Sequence, residues 1–181
     1  MAVATVAELL VSRAAEASIA RAVTLGELVY RSRYVLVGTS VDAFCRWERI
    51  GKRSRIVTYS VMQVERPLDG RPPDTSEVMV RTLGGSVGDR GQVVHGEAVV
   101  ALGRRAALFL HDVAPDVFAV TGMAQGHYPV EADVQGVARL RAAIADLELL
   151  DVPDAAVHRL HGSSLAEAEA VLSEELARGV R

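Results

Sequence analysis

Tyr34-Val-Leu-Val-Gly-Thr-Ser-Val41 is the stretch that decides the fold, because apolar and β-branched residues alternate there with a period of two. It predicts a strand over 34–47, and Gly38 within it predicts a bulge or a bend. A second alternating stretch, Ile56-Val-Thr-Tyr-Ser-Val-Met-Gln-Val-Glu65, is partly apolar on both faces, which is typical of a central strand. Together, residues 34–66 are predicted to form a long hairpin.

Shorter strands are predicted further along the chain, between loops rich in glycine and proline, at 77–82, 107–111, 117–121 and 126–130. The glycine-rich stretch 84–91 lacks the lysine and the following helix of a phosphate-binding loop, so it predicts a structural loop. Five or six strands joined in this way favour a small closed antiparallel β-barrel, like the OB fold, over residues 24–131.

Helical patterns flank the predicted barrel, so the fold class is α+β. An N-terminal leader, 1–23, carries an amphipathic pattern over 3–22. Thr24 and Glu27 have the spacing of a capping box, which predicts a helix from Leu25 to Ser32. The C-terminal segment, 132–181, is predicted to contain two or three helices: 133–149, a turn or short helix at 154–161, and a helix opened by a second capping box at Ser164–Glu167.

Composition excludes several classes of protein. The chain has 181 residues and a net charge of −3, so no global positive field attracts nucleic acid or anionic lipid. The single cysteine, Cys45, excludes an intramolecular disulfide and a cysteine-based zinc cage. The sequence contains no run of about 18 apolar residues, so no membrane span is predicted. The N-terminus does not have the pattern of a signal peptide. No cofactor is predicted.

The order of elements over 26–130 resembles a known bacterial family. A Val-Leu-Val-Gly-Thr strand is followed by Val-Met-Gln-Val-Glu, Val-Met-Val-Arg-Thr, Gly84-Gly85-Ser-Val-Gly88 and Gly122-Met-Ala-Gln-Gly126. This order is similar to an uncharacterised family of β-barrels that is common in myxobacteria, and more distantly to netrin-like domains and tissue inhibitors of metalloproteinases. The resemblance implies an OB-like fold and an exported protein. It does not imply protease inhibition, because the N-terminal cysteine of those inhibitors is absent here.

The most specific candidate site is the stretch 46–55, which we expect to be a polar turn at the tip of the first hairpin. Its basic residues surround one aromatic residue and could contact a nucleic acid or a polyanionic glycan, as the corresponding loop of OB folds does. The candidate binding residues are Arg46, Trp47, Arg49, Lys52, Arg53 and Arg55.

Histidines offer a weaker candidate. His158 and His161 have the spacing that places two rings on one helical face, but a metal site usually needs a third ligand. His95, His111 and His127 could converge only through the fold. No serine has the Gly-x-Ser-x-Gly setting of a hydrolase nucleophile.

Three functions follow as expectations. The first is a non-enzymatic interaction or structural module that binds a protein partner or itself. The second is an OB-like barrel that binds single-stranded nucleic acid or a polyanionic glycan through 46–55. The third is a histidine-based metal site or a hydrolase.

Overall fold

The computed structural model describes residues 18–144 and 147–179. The α-helices are α1 (Leu25–Arg31), α2 (Ala156–Leu160) and α3 (Leu165–Gly179), and a short 3₁₀ helix covers Met123–Gly126. The strands are, in chain order, β1 (Ser18–Arg21), β2 (Tyr34–Ile50), β3 (Arg53–Pro67), β4 (Glu77–Leu83), β5 (Gly85–Val87), β6 (Arg90–Gln92), β7 (Arg105–Ala114), β8 (Val117–Val120), β9 (His127–Ala132), β10 (Ala138–Leu140) and β11 (Leu147–Leu150).

One large sheet dominates the part of the chain that the structure describes. Its seven strands follow the order β10-β9-β7-β2-β3-β4-β8, and β8 also pairs with β7. The hydrogen bonds of β2, β3, β4, β8 and β7 therefore form a ring. Within that ring β4 and β8 are parallel, and the other neighbours are antiparallel. The predicted α+β class is confirmed.

The long hairpin predicted over 34–66 is formed by β2 and β3. The pairing register shifts between Val37 and Gly38 and again between Ser40 and Asp42, so the predicted irregularity at Gly38 is confirmed. A Cβ atom at Gly38 would lie 2.6 Å from the Gln63 carbonyl oxygen, which requires glycine at this close approach. Bulges increase the local twist of a strand, and here they bend β2 between its two partners.

Side chains on the two faces of the large sheet pack into two separate hydrophobic cores. The inner core draws on all five ring strands and on the loop before β7, through Leu36, Met62, Val78, Val80, Ala98, Val100, Ala106, Leu108, Leu110, Phe118 and Val120. The outer core lies on the opposite face of β2, β7 and β9, where Val35, Val37, Phe109 and Tyr128 pack with side chains of the three helices. This arrangement explains why β2 and β7 are apolar on both faces.

Both predicted capping boxes are present. The Thr24 hydroxyl accepts a hydrogen bond from the Glu27 amide at 3.1 Å, and the Glu27 carboxylate accepts one from the Thr24 amide at 3.1 Å. The hydrogen bond from the Thr24 backbone lowers the pKa of Glu27. Ser164 and Glu167 repeat the pattern at the start of α3. The short helix expected within 154–161 is α2.

The helix predicted over 133–149 is wrong over 133–144 and 147–149; residues 145 and 146 lie outside the described ranges. A turn begins at Asp133, whose carboxylate accepts hydrogen bonds from the amides of Gln135 and Val137, and Gly136 has a φ of 79°. The chain then returns as β10, antiparallel to β9, and continues to β11. An aspartate and a glycine with this turn geometry interrupt a helix more strongly than the apolar spacing supports one.

The helix predicted over 3–22 lies mostly outside the described residues, and its last part is wrong. Residues Ser18–Arg21 form β1, which pairs in parallel with β11. A long-range pairing overrides the local preference here. None of the helices in the described ranges has the length and apolar composition needed to cross a membrane.

Candidate functional site

The end of the β2–β3 hairpin projects beyond the rest of the large sheet. We call residues 46–55 the arm. The ladder between β2 and β7 ends at Thr39, and the ladder between β3 and β4 reaches no further than Val57. Among the described residues, β2 and β3 pair only with each other within the arm. The turn between them consists of two residues, Gly51 and Lys52.

The arm is a ribbon of two strands, so the prediction of a polar turn over all of 46–55 is wrong. Consecutive strand residues point to opposite faces, and directly paired residues share a face. Phe44 pairs with Tyr59. The same register divides the candidate residues: Arg46, Arg53 and Arg55 lie on the Tyr59 face, and Trp47 and Arg49 lie on the opposite face.

Arg46 is held at the base of the arm by its neighbours. Its guanidinium carbon lies 4.5 Å from the centroid of the Tyr59 ring and it donates a hydrogen bond to Glu48 at 2.8 Å. The Tyr59 hydroxyl and Arg81 also contact the Glu48 carboxylate, at 2.5 Å and 3.3 Å. The Tyr59 hydrogen bond, followed by that of Arg46, lowers the pKa of Glu48. Arg46 is therefore held in a network of two guanidinium groups, one carboxylate and one hydroxyl, and is not a free cation.

The other basic side chains of the arm are uncommitted. No ion pair within the described residues includes Arg49, Lys52, Arg53 or Arg55. Trp47, within the arm, is 46% exposed; Phe44, just before the arm, is 43% exposed and stacks on Tyr59 with ring centroids 5.2 Å apart. The arm thus combines unpaired positive charge with exposed aromatic surface, the pair of features used to bind anionic and stacking partners.

The glycine-rich stretch 84–91 supports the base of the arm. It forms the β5–β6 hairpin and not an irregular loop. The Ile56 amide donates to the Gln92 side chain at 3.1 Å, and the Thr58 hydroxyl donates to the Gly84 carbonyl at 2.8 Å. A Cβ atom at Gly85 would lie 2.5 Å from the Thr58 hydroxyl, so glycine permits this packing.

The histidine candidates do not assemble into a metal centre in the part of the chain that the structure describes. His158 contacts Asp151 at 2.9 Å, whereas the His161 ring accepts a hydrogen bond from the Ala142 amide at 3.1 Å. Those described residues contain no group of three His, Cys, Asp or Glu that could hold a metal ion.

An acidic cavity at the opposite end of β2 was not predicted from the sequence. Its volume is about 330 Å³, and it lies where the loop before β4 meets the turn between β7 and β8. Tyr34 and Phe118 contribute an aromatic pair with ring centroids 5.5 Å apart. Its charged lining consists of Arg33, Asp74, Glu77, Asp112 and Asp116.

Arg33 neutralises only part of the negative charge that lines this cavity. It lies 3.7 Å from Asp112, and the Tyr34 contact and the nearby Asp112 raise its pKa. The remaining carboxylates come from segments that are distant in sequence, and the pairing of β4 with β8 and of β8 with β7 brings them together. Asp112 and Asp116, which lie between the strands predicted at 107–111 and 117–121, were the sequence feature that could have indicated this cavity.

Comparisons with protein-family models, with curated proteins and with solved structures find no match to this chain. The fold and the geometry of its surfaces therefore carry the functional argument.

Proposed function

We propose that the protein is a non-enzymatic interaction module, in which an OB-like barrel holds out a basic arm that binds an acidic partner surface. The ring of five strands with a shared inner core supports the barrel. The OB fold is a small Greek-key barrel that binds its ligands partly through the loop between its first two strands. The arm joins β2 and β3, the first two strands of the ring, which supports a comparable use of the arm here.

The observation that carries the proposal is the set of arm cations that form no ion pair with any residue in the described ranges 18–144 and 147–179. Four such side chains lie on a two-residue turn and its flanking strands, on both faces of the ribbon. Like charges this close repel one another, and an acidic partner relieves that repulsion. A ribbon that projects from a packed base presents these charges with little shielding from the rest of the chain.

The acidic cavity makes a second copy of this chain the best-matched partner. Its carboxylates outnumber its guanidinium group, and its aromatic pair can contact an inserted arginine. Tyr34 lines the cavity at the start of β2, and Ile50 ends the same strand next to the arm turn. A 17-residue strand spans about 50 Å, so an arm does not reach the cavity of its own chain. The contact is therefore between molecules, head to tail.

Sedimentation velocity over a range of protein concentrations tests this proposal. At low salt we expect a mass that increases with concentration, and at about 0.5 M salt, where the Debye length is about 4 Å, we expect mainly monomer. The double variant Arg53→Glu/Arg55→Glu and the double variant Asp74→Asn/Asp116→Asn should each remain monomeric. Arg178→Glu, which changes an exposed charge outside the arm, should associate like the wild type. A wild type that is monomeric at every concentration and salt contradicts the proposal.

Single-stranded nucleic acid is the second candidate partner, and the exposure of Trp47 and Phe44 favours it. Aromatic side chains beside arginines stack bases without sequence preference. Fluorescence anisotropy with a labelled oligothymidine should then show binding that weakens with salt and with Arg49→Ala/Arg53→Ala or Trp47→Ala. The cavity variant should bind the oligonucleotide like the wild type, which separates this candidate from self-association. Equal binding of heparin would point to charge without base stacking.

A further inference from the structure

One backbone edge of β2 is uncovered where the strand enters the arm. The neighbouring strand β7 pairs with β2 only as far as Thr39, and Ser40 then exchanges backbone hydrogen bonds with Gly103 and Arg104. Beyond that point, no strand of the described ranges lies beside β2 on the side away from β3. Residues 43–49 are half-buried or exposed. We call the side of β2 that faces away from β3 over 43–49 the open edge.

The backbone of Trp47 points towards the open edge. Its partner across the hairpin is Ile56, whose amide donates to the Gln92 side chain at 3.1 Å and whose carbonyl accepts from the Gly84 amide at 2.8 Å. Ile56 therefore directs both of its backbone groups away from β2. In an antiparallel ladder, the two residues of such a pair point outwards on opposite sides. The N–H and C=O of Trp47 consequently face the open edge.

The outward direction repeats at every second residue, so Cys45 and Arg49 present their backbone groups in the same way as Trp47. The Ala43 amide agrees with this pattern, because it donates to the Asp42 side chain at 2.8 Å and not across the hairpin. Among the described residues, no backbone–backbone hydrogen bond uses the outward groups at 45, 47 and 49. The open edge thus offers three donors and three acceptors in a row.

The charge of the arm selects which strand can pair with the open edge. The arm contains five basic residues and one acidic residue, Glu48. Charged side chains on an edge strand oppose pairing with a like-charged strand, so the arms of two copies repel each other. An extended segment with carboxylates at alternate positions matches both the charge of the arm and the spacing of its backbone groups.

We propose that the open edge binds an extended acidic segment of a partner protein, which adds a strand to the arm. Main-chain hydrogen bonds to Cys45, Trp47 and Arg49 supply affinity, and carboxylates beside the arm cations supply selectivity. The inference rests on the proposed binding of an acidic partner by the arm, and it adds the strand pairing. It does not use the acidic cavity.

Hydrogen exchange measured by nuclear magnetic resonance on the full chain tests the strand pairing. The protein is the Asp74→Asn/Asp116→Asn variant, which keeps the arm and removes self-association through the cavity. The probe is a peptide of about seven residues in which glutamate and valine alternate, with both ends blocked. We expect saturable binding that slows amide exchange at 45, 47 and 49. Exchange at 46 and 48 should change little, because those amides already face β3.

A control peptide separates strand pairing from attraction between charges. It has the same sequence and carries a methyl group on every internal amide nitrogen, so it keeps its carboxylates and cannot donate to the open edge. We expect it to bind at least about tenfold more weakly. Equal binding of the two peptides, or protection without the alternation along β2, overturns the strand pairing and leaves the charge of the arm as its only binding feature. No binding of either peptide also overturns it, whereas self-association is decided separately by sedimentation.

Two substitutions at one position give a matched test on the protein. Trp47→Ala removes the indole and keeps the outward N–H, whereas Trp47→Pro removes both. Proline is tolerated on an edge strand where the N–H faces solvent, so the ladder to β3 remains intact. We expect Trp47→Pro to bind the unmethylated peptide about tenfold more weakly than Trp47→Ala. Equal affinities of two variants that both keep the arm spectrum would overturn the proposal. The exchange pattern of the protein with Trp47 decides it independently if the proline variant loses the arm.

Discussion

Acidification from about pH 7.5 to about pH 5 should destabilise the protein through His127. Burial lowers the pKa of this ring from its ordinary value of 6.5 to about 4. The unfolded chain therefore binds a proton in this pH range and the folded chain does not. Stability is fully present above pH 6.5 and is lost as the pH falls towards 4.

The magnitude follows from the shift in pKa. One pKa unit corresponds to 1.36 kcal/mol, so the contribution lost between about pH 7.5 and about pH 5 is about 2 kcal/mol, and it approaches about 3 kcal/mol at pH 4. The lowered pKa of His111 acts in the same direction, whereas the raised pKa of Glu97 acts in the opposite direction. A variant at position 127 isolates the contribution of one ring from both.

Urea unfolding monitored by circular dichroism at several pH values measures the effect. His127→Gln has no titrating ring, so its free energy of unfolding should fall by about 2 kcal/mol less than that of the wild type between the same two pH values. The contributions of His111 and Glu97 are shared by the two proteins and cancel in the difference. Identical pH dependence of the wild type and the variant would refute the reasoning.

Three substitutions and one control test the packing. Gly126→Ala places a Cβ atom in overlap with the Thr121 carbonyl oxygen and should cost about 1–3 kcal/mol by urea unfolding, whereas Gly91→Ala, whose Cβ atom would meet no described atom beyond its chain neighbours closer than 3.6 Å, should cost less. Asp69→Ala removes the buried carboxylate that accepts from the Val35 amide at 2.9 Å, and should cost about 3 kcal/mol because that amide is left unpaired. Leu172→Ala opens a cavity beneath α3 and should lower stability by about 2–5 kcal/mol, and a loss below about 1 kcal/mol would show that α3 is not part of the outer core.

Local chemistry made the central hairpin and the helix starts predictable. Period-two alternation identified β2 and β3, and Gly38 indicated an irregularity in β2. The structural reason for glycine at this position is the Gln63 carbonyl oxygen, which leaves no room for a side chain. The spacing of Thr24 with Glu27 and of Ser164 with Glu167 identified two helix starts, since both capping bonds form within four residues.

Features that depend on distant partners were not predictable in the same way. The charged residues of 46–55 were interpreted as a turn, but a ribbon exposed on both faces needs no apolar alternation to remain a strand. β11 forms through its pairing with β1, more than a hundred residues away in sequence. The burial of the His127 side chain depends on the register of β9 against β7 and on the loop before β7.

Mixing two variants that are each defective at one surface tests the central claim most directly. Arg53→Glu/Arg55→Glu keeps the acidic cavity, and Asp74→Asn/Asp116→Asn keeps the arm. Sedimentation velocity at low salt should show each variant alone as a monomer and their equimolar mixture as a dimer that grows no further, because only one arm and one cavity remain compatible. A mixture that stays monomeric while the wild type associates, or variants that associate like the wild type, would contradict the account.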